Sequence, residues 1–438
     1  MPRPRKYEPL DVYVNGRLVG EFCKRPDGVV YFEYALDWLE WKHAFPVSIS
    51  LPLREDRYIG EPVLAVFDNL LPDVDKIRSK VARRLKADGK DTFSLLSAIG
   101  RDCVGALQFL PKGEEPNKPS EIEGDLIDEG EIASKLRNLS EAPLGLEGED
   151  DFRISIAGAQ KKWTLLRHEA QWKKPRGATP TTHILKPKIG VHGGNIDLTL
   201  SVENEHFCLE FIRSMGLPAA DTDIENFDGE KTLVIERFDR QFTADNRLLR
   251  VPQEDMCQAL SYLPTRKYER DGGPGMSDIF KFLKAADDPE RDRLLFLKAQ
   301  IINWLLGAPD GHAKNFSIFI KPSSHFEMTP LYDVISVQPN VDKGELRQNK
   351  MKLAMAVGDS RHYKVKEVVP GHFRETACSA GLSDSKITSV FKSINQQIPV
   401  ALEQTRTTMP DDFPGELLDS IVNGIKTRKR LLELELRE

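Results

Sequence analysis

The stretch Gly307-Ala308-Pro309-Asp310-Gly311-His312-Ala313-Lys314-Asn315 carries the pattern that decides the fold. Two apolar arms follow it between Phe316 and Thr329, around a turn sequence rich in proline and serine, which predicts a hairpin. Asp333 comes directly after this hairpin, eighteen residues beyond Asn315, and Asn315 itself lies five residues after Asp310. Two carboxylates and one amide thus occur in a fixed order around a short hairpin.

This order is typical of the catalytic loop of protein kinases. There an aspartate accepts the proton of the substrate hydroxyl, an asparagine five residues later binds a metal ion, and an aspartate beyond a hairpin holds metal against the phosphates. We therefore interpret Asp310 as a catalytic base and Asn315 and Asp333 as ligands of Mg2+, which prefers oxygen atoms and few protein groups. Each dipeptide taken alone is equally typical of an ordinary turn.

A second candidate lies upstream, where Thr182 to Lys186 predicts a strand that ends in a lysine. A strand lysine grips the nucleotide phosphates in kinases, although an isolated lysine in such a place is also typical of a solvated sheet edge. A helix predicted from about Ser201 to Met215 carries Glu203 and Glu205 in its first turn. Either could orient Lys186, while the other caps the helix; we favour Glu205.

The next predicted strand ends in Glu236-Arg237-Phe238, where a kinase-like chain would cross between lobes and offer main-chain groups to adenine. An ordinary transition from strand to turn explains the same residues. Earlier in the chain, Ala157-Gly158-Ala159-Gln160-Lys161-Lys162 combines small residues with positive charge, which allows main-chain N–H groups to approach phosphate. The segment is neither a Walker A sequence nor a GxGxxG motif, and a plain hairpin turn remains open.

The overall composition limits the class of protein. The chain has 438 residues, 40% hydrophobic and 30% charged, with a net charge of −6. These values predict a globular protein of two or three domains located in the cytoplasm, and the negative charge argues against direct DNA binding. We find no signal sequence and no apolar run long enough to span a membrane. Five scattered cysteines without a CxxC pair predict reduced, buried thiols rather than disulfides or a zinc site.

The hydrophobic patterns predict three regions. Residues 1–112 form an N-terminal α+β subdomain that begins with hairpins around Asn15-Gly16 and Pro26-Asp27-Gly28 and continues with a helix from Glu61 to Lys86. Residues 113–250 combine a surface connector with a β-rich lobe, and residues 251–438 form a mainly helical lobe that carries the catalytic loop. The predicted fold class is α+β, a protein-kinase-like two-lobed fold with an additional N-terminal subdomain.

With these motifs assembled, the chain closely resembles the HipA family of bacterial toxin kinases over nearly its whole length. The stretches that carry the resemblance are Ser48 to Leu53, Phe67 to Asp73, Ile99 to Ala106, Ile156 to Gln160, Val251 to Gln258, Gly272-Gly273-Pro274-Gly275 and Asp310 to Asn315.

The resemblance implies a kinase-like fold, with Asp310 as the base and Asn315 and Asp333 holding Mg2+. It implies that ATP is bound by residues 157–162, Lys186, Glu236 to Phe238 and the catalytic loop, including His312, Ala313 and Lys314. It also implies autophosphorylation of Ser155, whose phosphate would eject the adjacent loop and inactivate the kinase, although the sequence context alone is equally that of a strand serine. One departure is Lys161, where relatives commonly carry an acidic residue.

The resemblance further implies partners. The chain would be the toxin of a two-gene module, neutralised by a DNA-binding antitoxin dimer of the HipB type, with which it represses their shared operon. Its substrate would be glutamyl-tRNA synthetase or another translation component, and its action would produce persister cells. The basic residues Lys426, Arg428, Lys429 and Arg430 near the C-terminus could contact DNA or the antitoxin, or could form a solvated helix face.

Two alternatives from other classes remain open at this point. One is a catalytically idle ATP-binding protein that acts mainly as a co-repressor. The other is a small-molecule kinase of the aminoglycoside phosphotransferase kind, which shares the logic of the catalytic loop. The presence of Lys186, Asp310, Asn315 and Asp333 argues against the first, and the matching N-terminal region argues against the second.

Overall fold

The computed structural model describes residues 7–140, 143–145, 160–192 and 196–437, and it has the α+β composition predicted from the sequence. The strands are β1 (Leu10–Val14), β2 (Arg17–Lys24), β3 (Val30–Tyr34), β4 (Tyr58–Ile59), β5 (Gln108–Pro111), β6 (Gly124–Leu126), β7 (Trp163–His168), β8 (Gln171–Pro175), β9 (His183–Pro187), β10 (Gly190–His192), β11 (Ile196–Leu198), β12 (Thr222–Phe227), β13 (Glu230–Glu236), β14 (Arg240–Phe242), β15 (Leu248–Arg250), β16 (Gln253–Asp255), β17 (Ser317–Ile320), β18 (Phe326–Met328), β19 (Lys352–Val357) and β20 (His362–Lys364).

The α-helices are α1 (Leu36–Leu39), α2 (Glu61–Phe67), α3 (Asp75–Arg84), α4 (Thr92–Ile99), α5 (Glu129–Asn138), α6 (Ser201–Ser214), α7 (Met256–Ala259), α8 (Met276–Phe282), α9 (Pro289–Leu306), α10 (Gln338–Asp342), α11 (Pro370–Ser379), α12 (Asp384–Thr408) and α13 (Gly415–Glu435).

The elements group into two compact units. The first takes its described residues from Met1–Pro187, Glu225–Thr265 and Ile318–Phe326, and the second from Lys188–Ile224, Arg266–Ser317 and Glu327–Glu438. The first contains most of the strands and the second most of the long helices. The domain boundaries near residues 112 and 250 stay predictions.

In the first unit, the N-terminal residues form an antiparallel sheet in the order β4-β3-β2-β1-β5. The two predicted hairpins are present, because β1 pairs with β2 across Asn15 and Gly16, and β2 pairs with β3. Alternate side chains on these strands are apolar, so one face of the sheet buries them against α2 and α4. Aromatic rings pack edge to face in this core, with 4.8 Å between the ring centroids of Phe22 and Phe67.

The single helix predicted from Glu61 to Lys86 is wrong, because the chain forms two helices there. Helix α2 begins with Pro62 in its first turn, as predicted, but ends at Phe67. Leu71 is extended, with φ −98° and ψ 161°, and it precedes Pro72. The ring of a proline disfavours helical geometry in the preceding residue, which explains the interruption before α3 begins.

A second sheet in the first unit contains the strands of the predicted β-rich lobe, in the order β13-β9-β7-β8-β6. Its apolar face packs against α5, and the cluster includes Trp163, Leu185 and Val234. A capping box between Asp128 and Glu131 fixes the start of helix α5. The sheet therefore presents β9, with Lys186 near its end, between two neighbouring strands.

The second unit is mainly helical, as predicted for the C-terminal region. Helix α6 ends before Gly216 as expected, and α9 is buried along most of its length. The predicted hairpin that follows Asn315 is present as β17 and β18, with Lys321 N donating to His325 O at 2.8 Å across the turn. Its residues Ile318–Phe326 belong to the first unit. The strands β19 and β20 were not predicted.

The basic segment in α13 differs from the sequence prediction at one residue. Arg428 is 9% exposed, and its guanidinium donates to Leu305 O at 2.9 Å and to Gln338 Oε1 at 2.9 Å. Burial lowers its pKa to about 10. The proposed contact of Arg428 with DNA or an antitoxin is therefore wrong, because this side chain holds α13 against the second unit's core.

The cysteines and the apolar segments agree with the sequence analysis with one exception. Cys23, Cys103, Cys208 and Cys257 are buried, whereas Cys378 is exposed, contrary to the prediction of buried thiols. Across the described ranges, we find no helix that is both long enough and apolar enough to cross a membrane.

A buried carboxyl in the first unit joins two of the stretches that carry the family resemblance. Glu254 is 1% exposed, and its Oε1 accepts the Ile49 N–H at 2.8 Å. Burial raises its pKa to about 8, although hydrogen bonds from Ser48 and Ile49 act in the opposite direction. The group is thus mostly protonated in the folded protein at neutral pH, while an unfolded glutamate would be ionised.

This difference predicts a pH-dependent stability. A carboxyl whose pKa is raised by folding stabilises the protein fully below its unfolded pKa, and the contribution is lost as the pH rises through the folded pKa. We expect Glu254→Gln to melt at a higher temperature than the wild type at about pH 8, by an advantage that shrinks towards about pH 5. The difference in unfolding free energy should change by at most about 1.4 kcal/mol per pH unit.

The measurement is a series of thermal melts of both proteins across this pH range. Glu403→Gln on the exposed face of α12 is the matched control for the loss of a carboxylate. A constant difference between Glu254→Gln and wild type at every pH would contradict the assignment.

Candidate active site

The catalytic loop starts at a rigid helix end in the second unit. Helix α9 is buried over its last turns, where Trp304 and Leu306 are inaccessible to solvent. Gly307 ends the helix in a left-handed conformation, with φ 65°, which a residue without a β-carbon adopts readily. Its N–H donates to Asn303 O and Trp304 O, so the direction in which the chain leaves the helix is fixed.

Within the loop, Asn315 connects two distant segments. Its side-chain Nδ2 donates to Asp310 O at 2.9 Å and to Asp333 O at 3.3 Å. The loop between them is closed by two further bonds, from His312 N to Asp310 O at 2.7 Å and from Asn315 N to His312 O at 2.9 Å. Because the amide nitrogen points to two carbonyl groups, the opposite atom, Oδ1, is the one available to a cation.

Asp333 has a backbone conformation that is uncommon for a residue with a side chain. Its φ is 59°, in the left-handed region. Such a conformation costs on the order of 1 kcal/mol or more and persists only where surrounding structure imposes it. Here the surrounding structure includes the bond from Asn315 on one side and a clamp on Ser336 on the other.

The clamp on Ser336 comes from α6. Asn204 Nδ2 donates to Ser336 O at 2.8 Å, and Ser336 N donates back to Asn204 Oδ1 at 2.9 Å. The Ser336 hydroxyl donates to Leu306 O at 2.6 Å, next to the end of α9. Asn204 and Ser336 are both buried. The segment that follows Asp333 is thus held by two helices through directed hydrogen bonds.

These elements enclose a small cavity with a volume of about 10 Å3, room for a single water-sized particle. Asp310, Asn315 and Asp333 line it together, with Asn303 and Tyr332. Two carboxylates and one amide oxygen are the donor types that suit Mg2+, which binds proteins through few groups. In the part of the chain that the structure describes, no group of three or more His, Cys, Asp and Glu side chains could hold a metal ion.

The other predicted residues of the loop face inward. His312, Ala313 and Lys314 are all buried. The Tyr332 hydroxyl donates to Lys314 O at 2.7 Å, and the His312 ring packs edge to face on Tyr268 with 4.9 Å between centroids. The side chain of Asp310 differs from these, since 65% of it is exposed. The loop therefore has a fixed interior and one carboxylate that solvent or a substrate can reach.

The first unit contains the predicted phosphate-binding lysines. Lys186 is 5% exposed on β9, opposite Leu233 of β13. Trp163 of β7 pairs with Leu185, and continuing this register by one residue sets Lys162 opposite Lys186. Lys162 is also buried, whereas Lys161 is exposed. Side chains directly opposite in an antiparallel pair share one face of the sheet, so this register assigns Lys162 and Lys186 to the same face.

Part of the predicted phosphate loop cannot be described. Ser155, Ala157, Gly158 and Ala159 lie outside the described residues, and Gln160 is the first residue of the motif within them. The question of which glutamate orients Lys186 also stays open. Glu203 and Glu205 are both buried in α6 of the second unit, and Lys186 belongs to the first.

The predicted adenine segment follows β13, and its residues differ in role. Glu236 is exposed. Phe238 is half-buried, and its ring packs edge to face on the Phe319 ring with 5.9 Å between the ring centroids. Arg237 N donates to Thr182 O at 2.9 Å, and the Arg237 guanidinium forms an ion pair of 2.8 Å with Asp239. The Arg237 carbonyl in turn accepts the Arg240 N–H at 3.1 Å, so the main chain and the guanidinium of Arg237 are both hydrogen-bonded within the first unit.

The pair between Arg237 and Asp239 belongs to a buried ionic network of the first unit, whose other members are Asp102, Arg240 and Arg250. Burial of Asp102 opposes its ionisation, but the three guanidinium groups outweigh this effect and hold its pKa below the ordinary value. Burial also raises the pKa of the adjacent Cys103 thiol to about 12.

Two residues of the site were missed by the sequence analysis. The Tyr268 hydroxyl donates to Asp310 Oδ1 at 2.7 Å, and Asn204 forms the clamp on Ser336. The sequence signal near Tyr268 is the glycine-rich motif at residues 272–275. Asn204 lies between Glu203 and Glu205, the two candidate partners of Lys186. Neither contact is encoded by spacing, because each joins segments far apart in the chain.

Comparison with known proteins identifies relatives over the whole chain. A family model for the HipA N-terminal domain matches residues 10–110, and one for the HipA-like C-terminal domain matches residues 154–402. A protein of Sinorhizobium fredii named "Putative kinase Y4mE" is 32% identical over 435 residues, covering 98% of this chain and 99% of that protein. The serine/threonine-protein kinase toxin HipA of Shewanella oneidensis is 27% identical, covering 92% of this chain and 90% of that protein.

A solved structure of the Shewanella oneidensis toxin–antitoxin system, HipA with HipB and operator DNA, contains a chain similar in fold. That chain superposes with a TM-score of 0.81 at 25% identity, covering 98% of this chain and 99% of its own length. The similarity therefore extends over both units and is not confined to the catalytic loop.

The clamp on Ser336 predicts the cost of losing Asn204. Replacing Asn204 by alanine removes two hydrogen bonds and leaves the buried N–H and C=O of Ser336 without those partners. We expect a loss of about 2–4 kcal/mol in unfolding free energy, measured by thermal or denaturant unfolding. Asn423→Ala, on an exposed position of α13, is the matched control and should change stability by less than about 0.5 kcal/mol. Equal stability of the two variants would show that the clamp contributes nothing.

Proposed function

We propose, because this chain belongs to the HipA family, that it is an ATP-dependent serine/threonine protein kinase that acts as a toxin. The observation that carries the proposal is the convergence of Asp310, Asn315 and Asp333 on one small cavity. These residues line the cavity together, and their types are those that phosphoryl transfer uses for a base and for metal ligands.

In this proposal Asp310 is the general base. Its carboxylate is the exposed group of the loop, so a serine or threonine hydroxyl can reach it and give up its proton to it as the hydroxyl oxygen forms a bond to the γ-phosphorus of ATP. The bond between the γ-phosphorus and the β,γ-bridging oxygen breaks in the same transfer, and ADP leaves. Asn315 Oδ1 and the Asp333 carboxylate would hold Mg2+, which supplies neutralisation of the phosphate charge when bound. The fixed main chain on both sides of the cavity keeps these groups in place without reorganisation.

The nucleotide would be bound mainly by the first unit. Lys186 and Lys162 provide two buried positive charges on one sheet face, which suits a polyphosphate chain. Residues 157–162 would cover the phosphates through main-chain N–H groups, and Glu236 to Phe238 would contact adenine. Ser155, which precedes this loop, would be the autophosphorylation site.

The partners are proposed from relatives. The Shewanella oneidensis structure is a complex of HipA with HipB and operator DNA. By analogy, an antitoxin dimer of the HipB type would neutralise this chain and recruit it to operator DNA as a co-repressor. The substrate would be a translation component, for which glutamyl-tRNA synthetase is our first candidate, and the result would be growth arrest and persistence.

The two alternative functions make different demands on the site. An idle co-repressor needs a nucleotide pocket but no reachable base, whereas Asp310 is the exposed carboxylate of an otherwise buried loop. A small-molecule kinase needs the same loop, but the HipA N-terminal domain match over residues 10–110 favours the toxin family.

The test is transfer of radiolabelled γ-phosphate from ATP by the purified chain in the presence of Mg2+. We expect label on the chain itself and on a translation factor, and we expect Asp310→Asn to reduce both by at least about 100-fold, since a positioned general base contributes about 10²–10⁴-fold. Phosphopeptide mass spectrometry then identifies the acceptor, which we expect to be Ser155.

Asp411→Asn, in the exposed connection between α12 and α13, serves as the matched control and should keep full activity. Absence of label with wild type and variant alike would favour the idle co-repressor. Label on a small metabolite instead of protein would favour the small-molecule kinase.

A further inference from the structure

We propose that Tyr268 is a positioning residue for the catalytic base. Its phenolic O–H donates to Asp310 Oδ1 at 2.7 Å, which leaves Oδ2 as the oxygen that receives the proton of the substrate hydroxyl. This inference rests on the proposed kinase function and adds to it a residue that the general kinase pattern does not contain.

The need for such a residue follows from the exposure of Asp310. An aspartate with 65% of its side chain in solvent can rotate between rotamers, and only some of them direct an oxygen towards the cavity. A hydrogen bond to one carboxylate oxygen restricts this rotation. His312 Nε2 lies 4.0 Å from Asp310 Oδ2, which is beyond hydrogen-bonding distance. Oδ2 thus faces His312 without being bonded to it.

The Tyr268 ring is itself held in place. It packs edge to face on the buried His312 ring, at 4.9 Å between centroids and 81° between planes. The Arg270 guanidinium lies 5.0 Å from the ring centroid, within the range of a cation–π contact. The Tyr268 ring therefore contacts the His312 ring of the catalytic loop and the Arg270 guanidinium. These two contacts together define the position of its hydroxyl.

The main chain around Tyr268 is fixed as well. Asp271 N and Gly273 N both donate to Tyr268 O at 3.0 Å, which folds the segment back on itself. Ala313 N donates to Lys267 O at 3.3 Å, so the segment is bonded directly to the catalytic loop. The tyrosine and the aspartate thus belong to one hydrogen-bonded assembly within the second unit.

The glycine-rich motif explains how this turn is possible. A β-carbon on Gly273 would lie 1.7 Å from Arg266 O, a distance that no side chain tolerates. The main chain at Gly273 passes so close to the main chain at Arg266 that this position requires glycine. The motif Gly272-Gly273-Pro274-Gly275, which has no role in the proposed chemistry, serves here to shape the turn that presents Tyr268.

The test compares steady-state phosphorylation kinetics of wild type and Tyr268→Phe. The variant keeps the ring and its packing and loses only the hydroxyl. We expect kcat to fall by about 10-fold, because a displaced catalytic group loses rate steeply, while KM for ATP stays within about twofold. The melting temperature should be unchanged. Tyr31→Phe, which removes a tyrosine hydroxyl from β3 in the first unit, should leave kcat unchanged.

Gly273→Ala provides a second, independent change. By displacing the turn it should lower kcat like Tyr268→Phe, and combining the two changes should cost no more than the larger of them, since both act through one contact. The same split between kcat and KM is expected.

The outcomes separate this inference from the function on which it rests. A wild-type protein without kinase activity overturns both. An active wild type whose Tyr268→Phe variant has an unchanged kcat overturns the role of Tyr268 alone. A rise in KM for ATP with unchanged kcat also overturns it, because a residue that positions the base acts on the chemical step.

Discussion

The site depends on the side-chain amide of Asn315. By donating to the main-chain carbonyls of Asp310 and Asp333, it joins two segments that the hairpin β17–β18 separates in sequence. The remaining features of the second unit support this junction. Gly307 fixes the start of the loop, and Asn204 fixes the segment after Asp333. Without the amide, the two aspartates would still follow rigid elements, but no bond would set the distance between them.

A different constraint shapes the first unit. Asp102 comes from the N-terminal region, and Arg237 and Arg240 follow β13, where the adenine segment is proposed. Three guanidinium groups and two carboxylates share this interior, and each charge is tolerated only because it has partners. Removing one would leave the others buried and uncompensated. The network therefore binds the N-terminal residues to the turn after β13 and gives the subdomain a direct physical connection with that segment.

The comparison of sequence and structure shows which information is local. The hairpins at Asn15-Gly16 and after Asn315 were predicted because turn residues act over a few positions. The order of Asp310, Asn315 and Asp333 was informative because a short hairpin constrains where the third residue can lie. The single helix over residues 61–86 was wrong because the effect of Pro72 on Leu71 was underestimated.

Contacts between segments that are far apart in the chain could not be predicted from the sequence. Tyr268 and Asp310 are 42 residues apart, and Asn204 and Ser336 are 132 residues apart. No periodicity relates them, and their residue types are common in loops and helices. The prediction that Arg428 in α13 contacts DNA or an antitoxin was wrong for a related reason. Arg428 is buried against the end of another helix, where it donates to the carbonyl of Leu305. A charged residue in a sequence reports its chemistry but not its partner.

Main-chain and side-chain atoms of the two aspartates have different roles in the site. The bonds that Asn315 makes use the carbonyl groups of Asp310 and Asp333, so the backbone of each aspartate is anchored independently of its carboxylate. The structure can therefore hold the loop rigidly while the Asp310 side chain remains exposed to solvent. Electrostatic catalysis gains from groups that are fixed before the reaction and need no rearrangement during it. Because Asn315 bonds to main-chain carbonyls, it meets this requirement and leaves the carboxylate oxygens of both aspartates available for the proposed chemistry.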